Sequence, residues 1–346
     1  MQGANSPYRI LSSPVHHPLS YGSFYCLTMP YFNEQALRLH VTEHVGERLK
    51  KRLEVVQEDD NCKTYLATSS SRKRKYTVRL LFNQSYEELL WEAGALDFVW
   101  RHCLAPVPDP ISYGQAGYPN DNATILIQRE VSGVPLSQVW KDMDDCQRYV
   151  ICRALGTILA ELLSVESSYI GRLQLDDQPE PPRWLSAREW LMAVAEGETG
   201  YHMKEERCQR TFEEQAQIAA VVAHLALAPV LADGENPMLR FVLSPGLLRP
   251  EDILVDQNNP AKVTGIVKWR ETGAIPMFAV DTHFLRYVAF RDEEERWQLN
   301  SLVRCVIIEK VPTLAKVMGR QGKQLRYLYH LARNSGRWRR LVLRLD

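Results

Sequence analysis

Residues 241–281 have the sequence FVLSPGLLRPEDILVDQNNPAKVTGIVKWRETGAIPMFAVD. The centre of this stretch holds two short apolar runs, at residues 253–256 and 263–268, which the polar residues 257–261 separate. Two apolar runs joined by a few turn-forming residues are typical of a β-hairpin. The stretch therefore predicts a hairpin at its centre.

This stretch resembles the catalytic core of the aminoglycoside phosphotransferase and choline kinase-like superfamily. In that superfamily the pattern H-G-D-L-H-P-x-N-I-L-V-D precedes a hairpin, and G-I-I-D-W-E-x-A-G-x-x-P and a later Asp follow it. The resemblance extends over roughly residues 50–290, including residues 105–113 (APVPDPISY) and 130–140 (EVSGVPLSQVW). The residues that match the two patterns are Gly246, Leu248, Pro250, Ile253, Leu254, Val255, Asp256, Gly265, Ile266, Trp269, Gly273, Pro276 and Asp281.

The resemblance implies an α+β, bilobal protein-kinase-like fold, with a small antiparallel-sheet N-lobe and a mainly helical C-lobe. We expect an N-terminal arm and helix over residues 1–45, the N-lobe over 46–131 and the helical C-lobe over 132–346. Local patterns agree, because residues 53–58, 64–69 and 76–82 predict strands. Apolar residues recur every four positions from Leu37 to Leu49 and predict a helix.

The residues that carry the family's chemistry are replaced in this sequence. Phosphoryl transfer needs a carboxylate to orient the attacking hydroxyl, and carboxylate or carboxamide oxygens to hold Mg²⁺. The position of the catalytic base is Leu247, which cannot accept a proton, and the metal-binding Asp is replaced by Lys268. Asp252, in place of Asn, is the one candidate metal ligand that keeps an oxygen. We therefore assign no catalytic residue, and we do not expect Mg²⁺.

Four residues are candidates for binding a cofactor, which in this family would be ATP. The resemblance implies that Arg79 contacts phosphate and pairs with Glu92, and that Glu130 lies in the hinge. The alternative for Arg79 and Glu92 is a structural salt bridge. We hypothesise that Lys268 neutralises a bound anion without Mg²⁺, and the alternative is a salt bridge to Asp252 or Glu251. The phosphate-covering loop would be residues 59–63 (DDNCK), which contain no glycine.

Three functions follow from these residues. The first is a pseudokinase that lacks catalytic activity and acts by binding a small molecule or another protein. The second is an active ATP-dependent small-molecule phosphotransferase that uses non-standard residues, such as Asp252 or Glu251. The third is a relic with a collapsed cleft and a structural role.

Composition limits the partners. Lys and Arg together number 42, as do Asp and Glu, and a neutral chain is not typical of nucleic-acid binding. No run approaches 18 apolar residues, and the seven cysteines form no C-x-x-C pair. We therefore expect a cytoplasmic protein with no nucleic-acid partner and no membrane association. Residues 320–346 are strongly basic, and we expect either a docking site for an acidic partner or a solvated surface.

Overall fold

The structure is a computed structural model that describes residues 33–58, 62–82, 86–115, 123–173, 183–197, 211–232, 235–246, 248–269, 271–281, 283 and 285–335. Its helices are α1 (Glu34–Val45), α2 (Tyr86–His102), α3 (Leu136–Val139), α4 (Asp145–Ser164), α5 (Ala187–Glu196), α6 (Phe212–Leu227), α7 (Glu293–Lys310), α8 (Thr313–Met318) and α9 (Lys323–Arg333). Its strands are β1 (Glu54–Glu58), β2 (Cys62–Thr68), β3 (Lys75–Phe82), β4 (Pro110–Gln115), β5 (Ala123–Arg129), β6 (Val134–Pro135), β7 (Glu166–Ser167), β8 (Gly171–Arg172), β9 (Phe241–Ser244), β10 (Ile253–Val255), β11 (Val263–Ile266) and β12 (Gly273–Pro276).

The N-terminal region is an antiparallel five-stranded sheet with the strand order β1-β2-β3-β5-β4. One face of the sheet packs on α1, where Leu37 and Val41 are fully buried. The opposite face packs on α2, through Leu81, Leu89 and other apolar residues. The mixed α+β fold with an N-terminal antiparallel sheet, predicted from the sequence, is confirmed.

Helix α1 is shorter than its apolar pattern predicts. The side chain of Asn33 caps its first turn, and Gly46 ends it in the left-handed conformation, with φ of 65°. Leu49 was expected on this helix, but it instead forms an isolated β-bridge with Ser69 and is buried with the sheet. A four-residue repeat does not distinguish a helix from a helix followed by a bridge, because both bury the same apolar side chains.

The C-terminal part is mainly helical and carries the predicted hairpin. Strands β10 and β11 pair antiparallel, and β6 extends them to a three-stranded sheet. A second small sheet has the order β7-β9-β12-β8. Helices α4 and α7 pack closely at Gly156, and Arg148 on α4 pairs with Glu295 on α7 at 2.7 Å. Among the described helices, none has the combination of length and apolar composition that crossing a bilayer requires.

Candidate ligand-binding site

The first ion pair of the site joins the N-terminal sheet to helix α2. Arg79 lies in the middle of β3, opposite Thr64 on one side and Leu126 on the other. Its Nη1 donates to Glu92 Oε1 at 2.6 Å, and its Nη2 donates to Oε2 at 3.4 Å. The two side chains are 8% and 1% exposed. Burial opposes the charge of Arg79, but the Glu92 carboxylate outweighs that effect and raises its pKa.

The second ion pair lies on the hairpin that the sequence predicts. Asp252 ends the short turn Pro250–Asp252 just before β10, and Lys268 follows β11 by two residues. A backbone hydrogen bond from Val267 N to the Asp252 carbonyl, 2.9 Å long, holds these two positions side by side. Lys268 Nζ lies 3.1 Å from Asp252 Oδ1. This oxygen accepts no well-aligned hydrogen bond from the described residues, so the contact is best described as an ion pair.

The two ends of this second pair differ in exposure. The Asp252 side chain is 6% exposed, whereas the Lys268 side chain is 38% exposed. Burial raises the pKa of Asp252 above its ordinary value of 3.8, the Lys268 ammonium lowers it, and Glu251 raises it. The Arg79 charge also lowers the Asp252 pKa, although more weakly. The two ion pairs are therefore close enough to act on each other electrostatically.

These residues do not fit Mg²⁺. Mg²⁺ requires oxygen ligands in nearly octahedral geometry, and it is usually held by one or two carboxylates. The buried oxygen of Asp252 instead faces an ammonium at 3.1 Å. Glu251, the neighbouring carboxylate, faces Arg249 at 3.8 Å. Within the described ranges, no three His, Cys, Asp or Glu side chains are grouped closely enough to hold a metal ion.

The loop before the hairpin keeps a tight backbone path although its side chains are replaced. Gly246 has φ of +66°, and a Cβ there would lie 2.7 Å from the backbone of Glu271. Thr272 Oγ1 donates to the Pro245 carbonyl at 3.2 Å and ties the two loops together. Leu247 lies outside the described residues, as do the first three positions of the expected phosphate-covering loop, residues 59–61. Their predicted places stay predictions.

Glu130 contacts Lys75, at the start of β3, and belongs to neither of the two ion pairs. Its backbone N–H donates to the Lys75 carbonyl at 3.0 Å, and its carboxylate lies 3.6 Å from Lys75 Nζ. The structure therefore brings together Arg79 with Glu92, and Asp252 with Lys268, and it pairs Glu130 with a strand residue. The role of Glu130 in binding a cofactor stays a prediction.

A polar group beside the loop was not predicted from the sequence. Asp281 accepts a hydrogen bond from Arg286 Nη2 at 2.8 Å, and its Oδ1 lies 3.4 Å from His283 Nδ1. These three residues line a small cavity together with Ser244 and Tyr287. The available signal was the pair of basic side chains two and five positions after it.

Residues 53–279 match the family model described as the phosphotransferase enzyme family. One similar solved structure is a thermostable mutant of aminoglycoside phosphotransferase APH(4)-Ia in a ternary complex with ADP and hygromycin B. It is 13% identical, covers 87% of this chain and 98% of its own, and gives a TM-score of 0.51.

A second such mutant of the same protein forms a complex with AMP-PNP and hygromycin B. It is also 13% identical, covers 88% of this chain and 99% of its own, and gives a TM-score of 0.50. At this identity the likeness concerns the fold alone. No protein of curated function matches the sequence.

Proposed function

Because this chain belongs to the phosphotransferase enzyme family, we propose that it is a member that has lost phosphoryl transfer and acts by binding a ligand or a protein partner. Such a protein is a pseudokinase: it keeps the family's fold and replaces the side chains that carry the reaction. The site described above is then a binding site.

One observation carries the proposal, namely the ion pair between Lys268 and Asp252. In the family pattern, these two positions hold the oxygen ligands of the metal. Here one of them is a cation, and it lies 3.1 Å from the other. Loss of metal ions that neutralise the transferred phosphate removes a main source of catalysis in phosphoryl transfer.

The base position supports the same conclusion. Leu247 has no group that accepts a proton, and a missing general base lowers a rate by about 10²–10⁴-fold. The carboxylates that could have replaced it are both engaged by cations, since Asp252 faces Lys268 and Glu251 faces Arg249. The base and the metal site are thus altered together.

An active transferase with non-standard residues is the second candidate, and one observation favours it. Asp281 lies 3.4 Å from His283 Nδ1, and a carboxylate at that distance can orient an imidazole for proton transfer. Both side chains line the cavity beside Pro245 and Gly246. In this candidate function, His283 would accept the proton of the attacking hydroxyl in place of the missing carboxylate.

The test is ADP formation from ATP in the presence of Mg²⁺ or Mn²⁺, with a panel of hydroxyl acceptors that includes amino sugars. We expect the intact chain to form ADP no faster than buffer without protein. Mg²⁺-dependent ADP formation would contradict the proposal. The variant His283→Gln would then test whether His283 is the general base, because loss of a general base lowers the rate by about 10²–10⁴-fold.

A further inference from the structure

We propose that the ammonium of Lys268 replaces a divalent cation, so that the site binds a phosphate-bearing anion without any metal ion. The inference rests on the proposed function, because it names the ligand class and the binding mode of the same site. It concerns two residues that face each other on one hairpin, Asp252 and Lys268.

The asymmetry of the pair is the first argument. The carboxylate is 6% exposed and the side chain that carries the ammonium is 38% exposed. An incoming ligand therefore reaches the Lys268 side chain before it reaches the Asp252 carboxylate. A lysine ammonium has three N–H donors, and a single contact with Asp252 Oδ1 leaves donors for a second acceptor. Asp252 thus holds Lys268 in place without using up its capacity to bind.

The neighbouring pair is the second argument. Arg79 lies close enough for its charge to lower the Asp252 pKa, and its own partner Glu92 is 1% exposed. The four side chains sum to zero formal charge, but among them only that of Lys268 is more than a tenth exposed. The charge that these two pairs present to solvent is therefore positive.

The same geometry disfavours a divalent cation. Mg²⁺ would have to displace the Lys268 ammonium before it could reach the oxygen that lies 3.1 Å from it. It would also gain no second described carboxylate, because Glu251 is directed to Arg249. Like charges at short range repel strongly in a partly buried site. Lys268 thus supplies the positive charge that a divalent cation would otherwise supply beside Asp252.

The ligand class follows from the family and the chemistry of the cation. The matching family is described as a phosphotransferase family, and a lysine ammonium binds phosphate as a point charge. The anion could be a nucleotide or a free polyphosphate chain. Both share the phosphate oxygens that Lys268 would contact, and the experiment below distinguishes them.

Isothermal titration calorimetry on the intact chain tests the inference, with EDTA present and with ATP, inorganic tripolyphosphate and inorganic phosphate as separate ligands. We expect binding of ATP or tripolyphosphate in EDTA, and no tightening when excess Mg²⁺ replaces EDTA. Equal affinity for the two would identify the phosphate chain as the ligand. A preference for ATP would show that the nucleoside also binds.

Variants locate the binding. We expect Lys268→Gln to weaken binding in EDTA roughly ten- to hundredfold, which is the value of a hydrogen bond to a charged group. Lys268→Arg keeps the charge and should bind within a few-fold of the wild type. Lys262→Ala removes an exposed lysine from the same hairpin and should leave the affinity unchanged. Lys268→Arg keeps a long cationic side chain, so it still tests the role of the charge if Lys268→Gln impairs folding.

The inverse variant Lys268→Asp places a second carboxylate beside Asp252. We expect it to lose binding in EDTA and to gain binding that depends on Mg²⁺.

The inference is overturned by absence of binding to all three anions, by binding that requires Mg²⁺ in the wild type, or by equal affinity of Lys268→Gln and wild type. These outcomes are independent of the proposed function, which fails only if ADP is formed.

Discussion

Each of the two ion pairs of the site joins a carboxylate to a basic side chain, but the two pairs differ in burial. Arg79 and Glu92 join strand β3 to helix α2, and both are covered by protein. Asp252 and Lys268 join the two ends of a hairpin, and the Lys268 side chain is 38% exposed. The closed pair, Arg79 with Glu92, stabilises one arrangement of the strand and the helix that it joins. The open pair, Asp252 with Lys268, can still contact a ligand. The difference in exposure favours a structural role for the first pair and agrees with the binding role that we propose for the second.

The largest effect is expected when the closed pair is broken. Glu92→Gln removes the charge that compensates a buried guanidinium, and breaking a buried pair in this way costs about 3–5 kcal/mol. Chemical denaturation of the variant and of the wild type measures the difference in free energy of unfolding. The matched control is Glu166→Gln, because Glu166 pairs with Arg240 at 2.8 Å while both are 61% exposed. That change should cost less than about 1 kcal/mol.

A double substitution tests whether loss of the Arg79–Glu92 pair is what destabilises Glu92→Gln. Arg79→Met combined with Glu92→Leu removes both buried charges, and such replacements are often neutral within a few kcal/mol or stabilising. We expect the double variant to recover most of the stability that Glu92→Gln loses. If the double variant were as unstable as the single one, the pair would not be the source of the loss.

An intermediate effect is expected at the open pair. Lys268→Met leaves the Asp252 carboxylate buried without its cation, which should cost about 1–3 kcal/mol. Asp252→Asn should cost less, because Lys268 is 38% exposed and water can solvate its ammonium. The double variant that combines Lys268→Met with Asp252→Asn should be more stable than Lys268→Met alone. Equal losses for Lys268→Met and Asp252→Asn would mean that the two ends of the pair do not differ as their exposure indicates.

The smallest effect concerns pH. Burial raises the Asp252 pKa above 3.8, so the folded chain binds this proton more tightly than the unfolded chain does. Ionisation of Asp252 therefore subtracts stability as the pH rises from its ordinary pKa through its raised folded pKa. The free energy of unfolding of Asp252→Asn, relative to that of wild type, should therefore increase as the pH rises through this range. Denaturation curves of both proteins across the acidic range check the sign, and an opposite trend would contradict the raised pKa.

Much of the fold was predictable because local signals and the family pattern agree. The hairpin around residues 257–261 follows from two apolar runs and a polar turn, and β10 and β11 confirm it. Thr211 and Glu214 predict a helix start by their spacing, and the capping box between them is present. Leu49 was wrongly placed, because the glycine at position 46 ends the helix before it.

Less of the site was predictable, because pairing depends on geometry that a sequence leaves open. The family pattern aligned Arg79 with Glu92, and the structure confirms their contact. It did not decide whether Lys268 faces Asp252 or Glu251, and the backbone bond from Val267 to Asp252 is what sets the choice. The contact of Glu130 with Lys75, and that of Asp281 with Arg286, arise from neighbouring strands and loops that no motif describes.

The melting temperature of the intact chain tests whether the site binds its ligand without a divalent cation. A ligand at about 100 times its dissociation constant adds about 2.7 kcal/mol of stability, or roughly 2 °C or more for a protein of this size. We expect ATP to raise the melting temperature in EDTA, and we expect no further rise when Mg²⁺ is added. A rise that occurs only when Mg²⁺ is present would contradict this expectation.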